Sequence, residues 1–262
     1  MTSPAISPDG VRYLTMAGGK RVARPFHYRW LMPKLIGTEP IAWKAWTVGA
    51  GIAIMLGAWA LTGHSEVGIF AAAVPGVAKI SKKFPVLIDP FAMALALWSA
   101  AAFVHGFWPV GVVLSLVAGA AKESAPIFAA AYAWHPLGLV GLAAPAIRHC
   151  FKQGDDVLDD ENKWVLAHPF KASVKYHKGV PPWVYVLPWG GLLAGFVGPY
   201  SWQLIVTVAL AYGMVLMATD TVRLYQWAWP VVAWQAYVVF GPDWMLLLFV
   251  LTAVNPFATD GI

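Results

Sequence analysis

Cysteine occurs once in the 262 residues, at Cys150, so no disulfide closes within the chain and the redox compartment stays undetermined. Charge is scarce as well. Only 12% of the residues are Asp, Glu, Lys or Arg, against about 25% in an ordinary soluble domain, which argues against a large solvated globule. The first 40 residues hold no apolar run of signal-peptide length, so insertion into a membrane is expected through the first apolar helix itself. There is no Walker loop, no Gly-x-Gly-x-x-Gly and no Gly-x-Ser-x-Gly, which leaves nucleotide hydrolysis, dinucleotide chemistry and the common serine-hydrolase route without support. Nucleic-acid-binding motifs and internal repeats are missing too. No two of the seven histidines stand at the i, i+3 or i, i+4 spacing of a helical metal site, so they read as interfacial or solvated imidazoles.

What remains is apolar and aromatic. Hydrophobic residues make up 59% of the chain, and many of its fifteen Trp and nine Tyr stand at the ends of apolar runs, where an amphipathic ring suits a water–lipid boundary. The expected fold is therefore all-α: a polytopic transmembrane bundle of about eight segments, some short or broken, in an integral membrane protein. The net charge of +5 comes mostly from the first 44 residues and the loops, so the expected acidic partner is the lipid headgroup layer rather than nucleic acid.

Residues 1–43 mix five prolines with Lys20, Arg21, Arg24, Arg29 and Lys34 around Phe26, Tyr28, Trp30 and Leu31, a basic and aromatic composition that rests at a membrane surface. Residues 44–262 form the expected transmembrane domain, with spans near 44–62, 67–80, 86–104, 107–147, 183–200, 202–218, 225–241 and 243–254. The run 67–80 is short for a crossing, and 107–147 is too long for one. Lys122-Glu123-Ser124 followed by Pro126 is its natural breakpoint, because a proline withdraws an amide donor. The one sizeable polar loop lies at 148–180. Its acids at 155–161 admit a divalent cation but lack the ligand order and glycine of an EF-hand, and a solvated loop is the plainer reading.

Three constellations could carry chemistry. Lys122 and Glu123 interrupt an apolar stretch where either charge costs about 2.5–3.5 kcal/mol at a bilayer centre; they either neutralise each other and pin a helix break or meet a substrate. Asp220 and Arg223, three apart between apolar runs, form either a boundary ion pair or a phosphate clamp. Asp9, Tyr13 and Ala17 recur at helical spacing, with Asp9 a helix N-cap candidate, ahead of the segment Pro25-Phe-His-Tyr-Arg29-Trp-Leu-Met-Pro33.

Taken in order, the Asp-x3-Tyr-x3-Ala loop, the aromatic-Tyr-Arg-x-Leu-x-Pro segment, the Lys-Glu pair and an Asp-x2-Arg ahead of a helix containing Pro230 resemble uncharacterised relatives of the GT-C integral-membrane glycosyltransferases. The resemblance implies transfer of a sugar from a polyprenyl-phosphate donor to an acceptor, outside the cytoplasmic leaflet. It further implies that Asp9 is the catalytic base or a metal contact, that Arg29, Lys122 and Arg223 hold the donor phosphate, and that Glu123 and Asp220 orient the acceptor or the basic side chains. These residue types suit the chemistry, since inverting transfer needs a carboxylate to deprotonate the acceptor and positive charge on the leaving phosphate.

Topology bears on this. If 67–80 crosses once and 107–147 makes one net crossing, then Asp9, the 148–178 loop and Asp220 to Arg223 share a face. That face also holds most Lys and Arg, so the positive-inside rule assigns it to the cytoplasm while carrier-dependent transfer expects the other side. If 107–147 crosses twice, the convergence is lost. Two other classes compete: a small-solute or ion transporter or channel, for which intramembrane Lys122 and Glu123 would line a path, and an accessory subunit whose small-residue helices pack against a membrane-protein partner.

Overall fold

The computed structural model describes residues 6–20, 22, 26–75, 77–150, 164–165, 167–199, 201–215 and 222–257. Among these, the regular elements are helical and no strand occurs, as the all-α expectation had it. The α-helices are α1 (Pro8–Ala17), α2 (Leu31–Ile36), α3 (Pro40–Thr62), α4 (Ser65–Gly68), α5 (Ala78–Lys83), α6 (Asp89–Val104), α7 (Trp108–Ala121), α8 (Ala125–Ala133), α9 (Ala143–Cys150), α10 (Pro169–His177), α11 (Trp202–Val215), α12 (Val222–Tyr225), α13 (Trp229–Phe240) and α14 (Pro242–Ala253). Proline accounts for much of this segmentation. Pro8, Pro40, Pro90, Pro109, Pro126, Pro169, Pro230 and Pro242 occupy the first or second helical position, where the missing amide would have had no partner and the fixed φ is already helical. At the other end of α3, Gly63 adopts φ 76° and caps the helix by donating to the Trp59 carbonyl.

Side-chain contacts order these elements between two ends of a bundle. Trp98 Nε1 donates to the Ala53 carbonyl and His105 Nε2 to that of Ala60, while Trp46 meets Phe91. The helices α3 and α6 are therefore parallel, and residues 64–88 make the return, ending where Thr47 Oγ1 donates to the Pro85 carbonyl. The next segment, α7, comes back alongside α6, with Lys122 at its end meeting Asp89 at the start of α6. From there α8 turns outward, so that His135 stacks on Phe103. The 3₁₀ turn Pro136–Leu142 with α9 then returns, placing His149 Nδ1 2.7 Å from the Tyr28 hydroxyl. Thus 107–147 makes three short passes and one net crossing of the bundle.

Small residues allow that triple pass. Gly119 faces the Gly141 carbonyl, Gly138 lies on the Ala130 backbone, and Ser115 Oγ donates to the Gly138 carbonyl. At these points any side chain would collide with main chain that cannot yield. The run 183–200 was expected as a span and is instead largely 3₁₀, in Pro182–Tyr185 and Leu187–Phe196, with a non-helical kink at Gly190. A 3₁₀ segment rises about 2.0 Å per residue against 1.5 Å for an α-helix, so a short run reaches further. Likewise 67–80 resolves into the end of α4, the 3₁₀ turn Ile69–Ala72 and the start of α5, separated around Pro75.

One helix among the described residues is long and apolar enough to cross a membrane. It is α3, and only 22% of its most apolar window is buried. Its outward residues are Ile41, Val48, Ile52, Leu56 and Trp59, and the pattern recurs in α14 with Trp244, Leu246, Leu247, Val250 and Leu251. A soluble protein rarely leaves so contiguous an apolar surface bare. Shorter apolar helices are α6, α7, α11 and α14.

Charge is segregated along the same axis. The described lysines and arginines fall in the N-terminal segment, the first turn of α3, α5, the α7–α8 break, the end of α9, α10 and α12, all of which join one end of the bundle. Far-end connections hold His64, Glu66, His105, His135 and Asp243 and no Lys or Arg. The far-end imidazoles include His64 stacked on Tyr237 and His135 on Phe103.

Candidate functional site

The polar end brings together residues from four distant stretches of chain. In α1, Ser7 rather than Asp9 is the N-cap, accepting from the Gly10 amide at 3.1 Å. This leaves Asp9 in the first turn, where a carboxylate is favoured by the helix dipole, and it pairs with Arg12 one turn on at 3.3 Å. Tyr13, on the same helical stripe, is buried between Phe26 and Trp43. Trp43 in turn donates from Nε1 to the Gly37 carbonyl, fixing the start of α3 against the loop before it.

Arg29 is the hub. Its Nε and Nη2 grip the two Glu123 oxygens at 2.9 and 2.5 Å, and its Nη1 donates to the Tyr13 hydroxyl at 3.1 Å. A planar guanidinium matches a carboxylate in this two-point fashion as no ammonium can. Phe26 lies under the guanidinium, with the ring centroid 5.2 Å from Cζ. The aromatic-Tyr-Arg motif thus acts as a unit: Phe26 supports Arg29, and Tyr28 reaches α9 through His149.

Glu123 occupies the turn between α7 and α8 at the polar end. The preceding residue, Lys122, is extended at φ −156° and ψ 129°, so neighbouring side chains diverge and each finds its own partner. Lys122 is buried against Asp89, beneath the Trp227 ring at 5.3 Å. Lys122 and Glu123 therefore do not neutralise each other. The residue that sequence reasoning passed over is Asp89. It stands before Pro90 at the start of an apolar helix, a position that reads as a helix opening; its burial at 6% exposure marks it instead as a counter-ion.

Burial works against the Glu123 carboxylate, but the Arg29 charge and hydrogen bonds overcome it and hold the carboxyl below its ordinary range. Arg29 stays protonated for the reciprocal reason: burial opposes its charge and Glu123 more than restores it. Tyr13 is raised by burial and remains a phenol. Because the Glu123 value is depressed in the folded state, the bridge contributes in full above the unfolded carboxyl value of about 4.3 and fades as pH falls through the lower folded value. The stability difference between the native chain and Glu123→Gln is accordingly expected to be constant from about pH 8 to pH 5 and to shrink below about pH 4, as read by chemical unfolding in detergent.

Of the residues singled out in the sequence, Asp9, Arg29, Lys122 and Glu123 lie at this end, with Arg29 joining Tyr13 to Glu123. Asp220 falls outside the described residues. Arg223 is described only in its backbone, in α12, which leads through Tyr225 and Trp227 to the same end. The Ser124 hydroxyl, next to Glu123, is buried with no hydrogen-bond partner among the described residues. Beside the cluster, an apolar groove of about 410 Å3 runs between α2, α3, α6 and α7, lined by Leu31, Leu35, Trp46, Phe91, Leu95 and Val117 among others. No group of three or more His, Cys, Asp or Glu that could hold a metal ion occurs among the described residues; the acids at 155–161 lie outside them.

Comparison with known proteins finds no match, whether to family models, curated proteins or solved structures.

Proposed function

We propose that the chain is a multi-pass integral membrane protein of GT-C-like design that transfers a sugar from a polyprenyl-phosphate donor to an acceptor at its polar end. The observation that carries this reading is the meeting of Tyr13, Arg29 and Glu123, drawn from segments 94 residues apart, together with an apolar groove whose lining begins at Leu31, two residues after Arg29. The groove suits a lipid tail; Arg29 suits the phosphate at its head.

On this reading the donor phosphate displaces Glu123 from the guanidinium. The freed carboxylate then takes the proton of the acceptor hydroxyl as its oxygen attacks the anomeric carbon. The bond from that carbon to the phosphate oxygen breaks, and the phosphate leaves with its charge held by Arg29. Asp9, at the rim beside Tyr13, is the other base candidate. Ser124 offers a hydroxyl to a bound acceptor. A reading as an accessory membrane subunit draws on one observation: Lys122 and Arg29 are each already matched by a carboxylate. Transport draws less support, because the buried hydroxyls of Ser99, Ser115 and Thr252 are committed to backbone carbonyls, leaving that of Thr207 without a partner among the described residues.

Orientation supplies the test. Cys150 is the single cysteine and is exposed at the polar end, so a membrane-impermeant maleimide reports which side that end faces. Labelling from outside sealed cells, with transfer of labelled sugar from a polyprenyl-phosphate donor in proteoliposomes, is the expected result. Labelling only in inside-out vesicles, as the positive-inside rule expects for so basic an end, would remove the carrier-linked donor.

A further inference from the structure

The helix α10 shows a different use of the polar end. Its exposed residues include Phe170, Lys171, Val174 and Lys175, with exposed Lys178 as its C-cap, while Ala172 on the other side is fully buried. Phe170 and Val174 are one turn apart and stand together as an apolar ridge, 76% and 70% exposed. Lys171 and Lys175 follow the same turns alongside them, and Lys178 caps the end of the helix, so that a basic strip borders the ridge.

This face is held in place. His177 Nε2 donates to the Val215 carbonyl at the end of α11 at 2.9 Å, and its ring meets Tyr185 edge-on. Lys175 lies 5.0 Å from the Trp164 ring centroid. From Asn162 to Thr219 the sequence contains no Asp or Glu, so nothing in or after the helix offsets its lysines. The rest of the polar end is basic as well.

We propose that α10 is an interfacial helix that seats Phe170 and Val174 at the headgroup–acyl boundary of an anionic leaflet, with Lys171, Lys175 and Lys178 on its acidic headgroups. An apolar ridge flanked by lysines, with no acid within the helix itself, is the composition that binds such a surface. A protein partner would have to bring both an apolar cleft and an acidic rim, whereas the leaflet beside a membrane-embedded bundle supplies both. The inference rests on membrane embedding but not on sugar transfer.

The test uses the full chain with Cys150→Ser and a single new cysteine, Val174→Cys, carrying an environment-sensitive dye. The protein is reconstituted in vesicles of phosphatidylcholine alone or with 30% phosphatidylglycerol. A second label at Val48→Cys, on the outward face of α3, reports embedding. The expected result is quenching of the Val174→Cys dye by nitroxides placed shallow in the lipid at least about threefold stronger than by aqueous iodide, in the phosphatidylglycerol vesicles. Charge reversal at Lys171, Lys175 and Lys178 is expected to lower the seated-to-unseated ratio by about fivefold or more per lysine. Iodide quenching equal to that of a solvated site, or protection from both quenchers as in a protein contact, overturns the proposal. If Val48→Cys is lipid-quenched while Val174→Cys is not, α10 alone is wrong; if neither is, embedding itself has failed.

Discussion

Asparagine in place of Asp89 is expected to destabilise the protein by about 3–5 kcal/mol, because it takes the carboxylate that meets the buried Lys122 ammonium away from it. Lys122 and Asp89 are both more than nine-tenths buried, so water cannot replace the lost carboxylate. Lys122→Met is expected to cost a similar amount for the reciprocal reason. The double variant, by contrast, is expected to recover most of the loss, since an apolar side chain of similar volume against an amide imposes far less than one stranded charge. Unfolding in detergent followed by tryptophan fluorescence measures all three. Additive losses in the double variant would mean that the pair is not a unit. The midpoint change also carries a structural message: the pair ties the start of α6 to the end of α7, so its loss is expected to loosen the turn that presents Glu123.

The second large effect concerns catalysis on the proposed reading. With Glu123→Gln, kcat for sugar transfer is expected to fall about 100-fold or more, the scale of a lost proton acceptor, while KM for the donor falls as well. Arg29 then has only a neutral amide to grip, so a donor phosphate no longer competes with a carboxylate for it. Arg29→Lys is expected to act in the opposite sense on binding, raising KM, because an ammonium cannot hold phosphate or carboxylate in two-point fashion. Steady-state kinetics with labelled donor in proteoliposomes separates the two constants. Equal loss of kcat in both variants, with unchanged KM, would point to a structural bridge and favour the accessory reading.

Much of the architecture was legible because proline and hydropathy speak locally. The prolines that mark helix starts are visible in the sequence, as is the break at Lys122 to Pro126, and the span near 44–62 falls within α3. The number of passes was not. Whether an apolar run folds as one helix or as three short passes depends on where Gly119, Gly138 and Gly141 let backbones touch, a tertiary property that no window of hydropathy records. Run 183–200 failed as an α-helix for a related reason: Gly190 and Gly191 pack against the backbone of α14, and the kink is set by that contact.

The candidate site was half legible. Asp9, Arg29, Lys122 and Glu123 were chosen by type and position, and all lie at one end of the bundle. Their pairing was hidden, because Lys122 and Glu123 are adjacent in sequence and an extended backbone at Lys122 turns them apart. Asp89 was hidden more deeply. Its partner is 33 residues away, and a carboxylate at a helix start has a sufficient local explanation in the helix dipole.

The segregation of cations described above bears on biogenesis. With the polar end on the side of synthesis, the orientation that would remove the carrier-linked donor, the connections that traverse the hydrocarbon to reach the far side carry only Glu66, Asp243 and three imidazoles. Neutral imidazole and a protonatable carboxyl are far cheaper to translocate than an ammonium or guanidinium, which stays charged at any accessible pH. The chain can thus be threaded hairpin by hairpin without dragging a permanent positive charge through oil. A lysine introduced at Ser65 or Pro199 would impose that toll, and the polypeptide would then have reason to settle upside down.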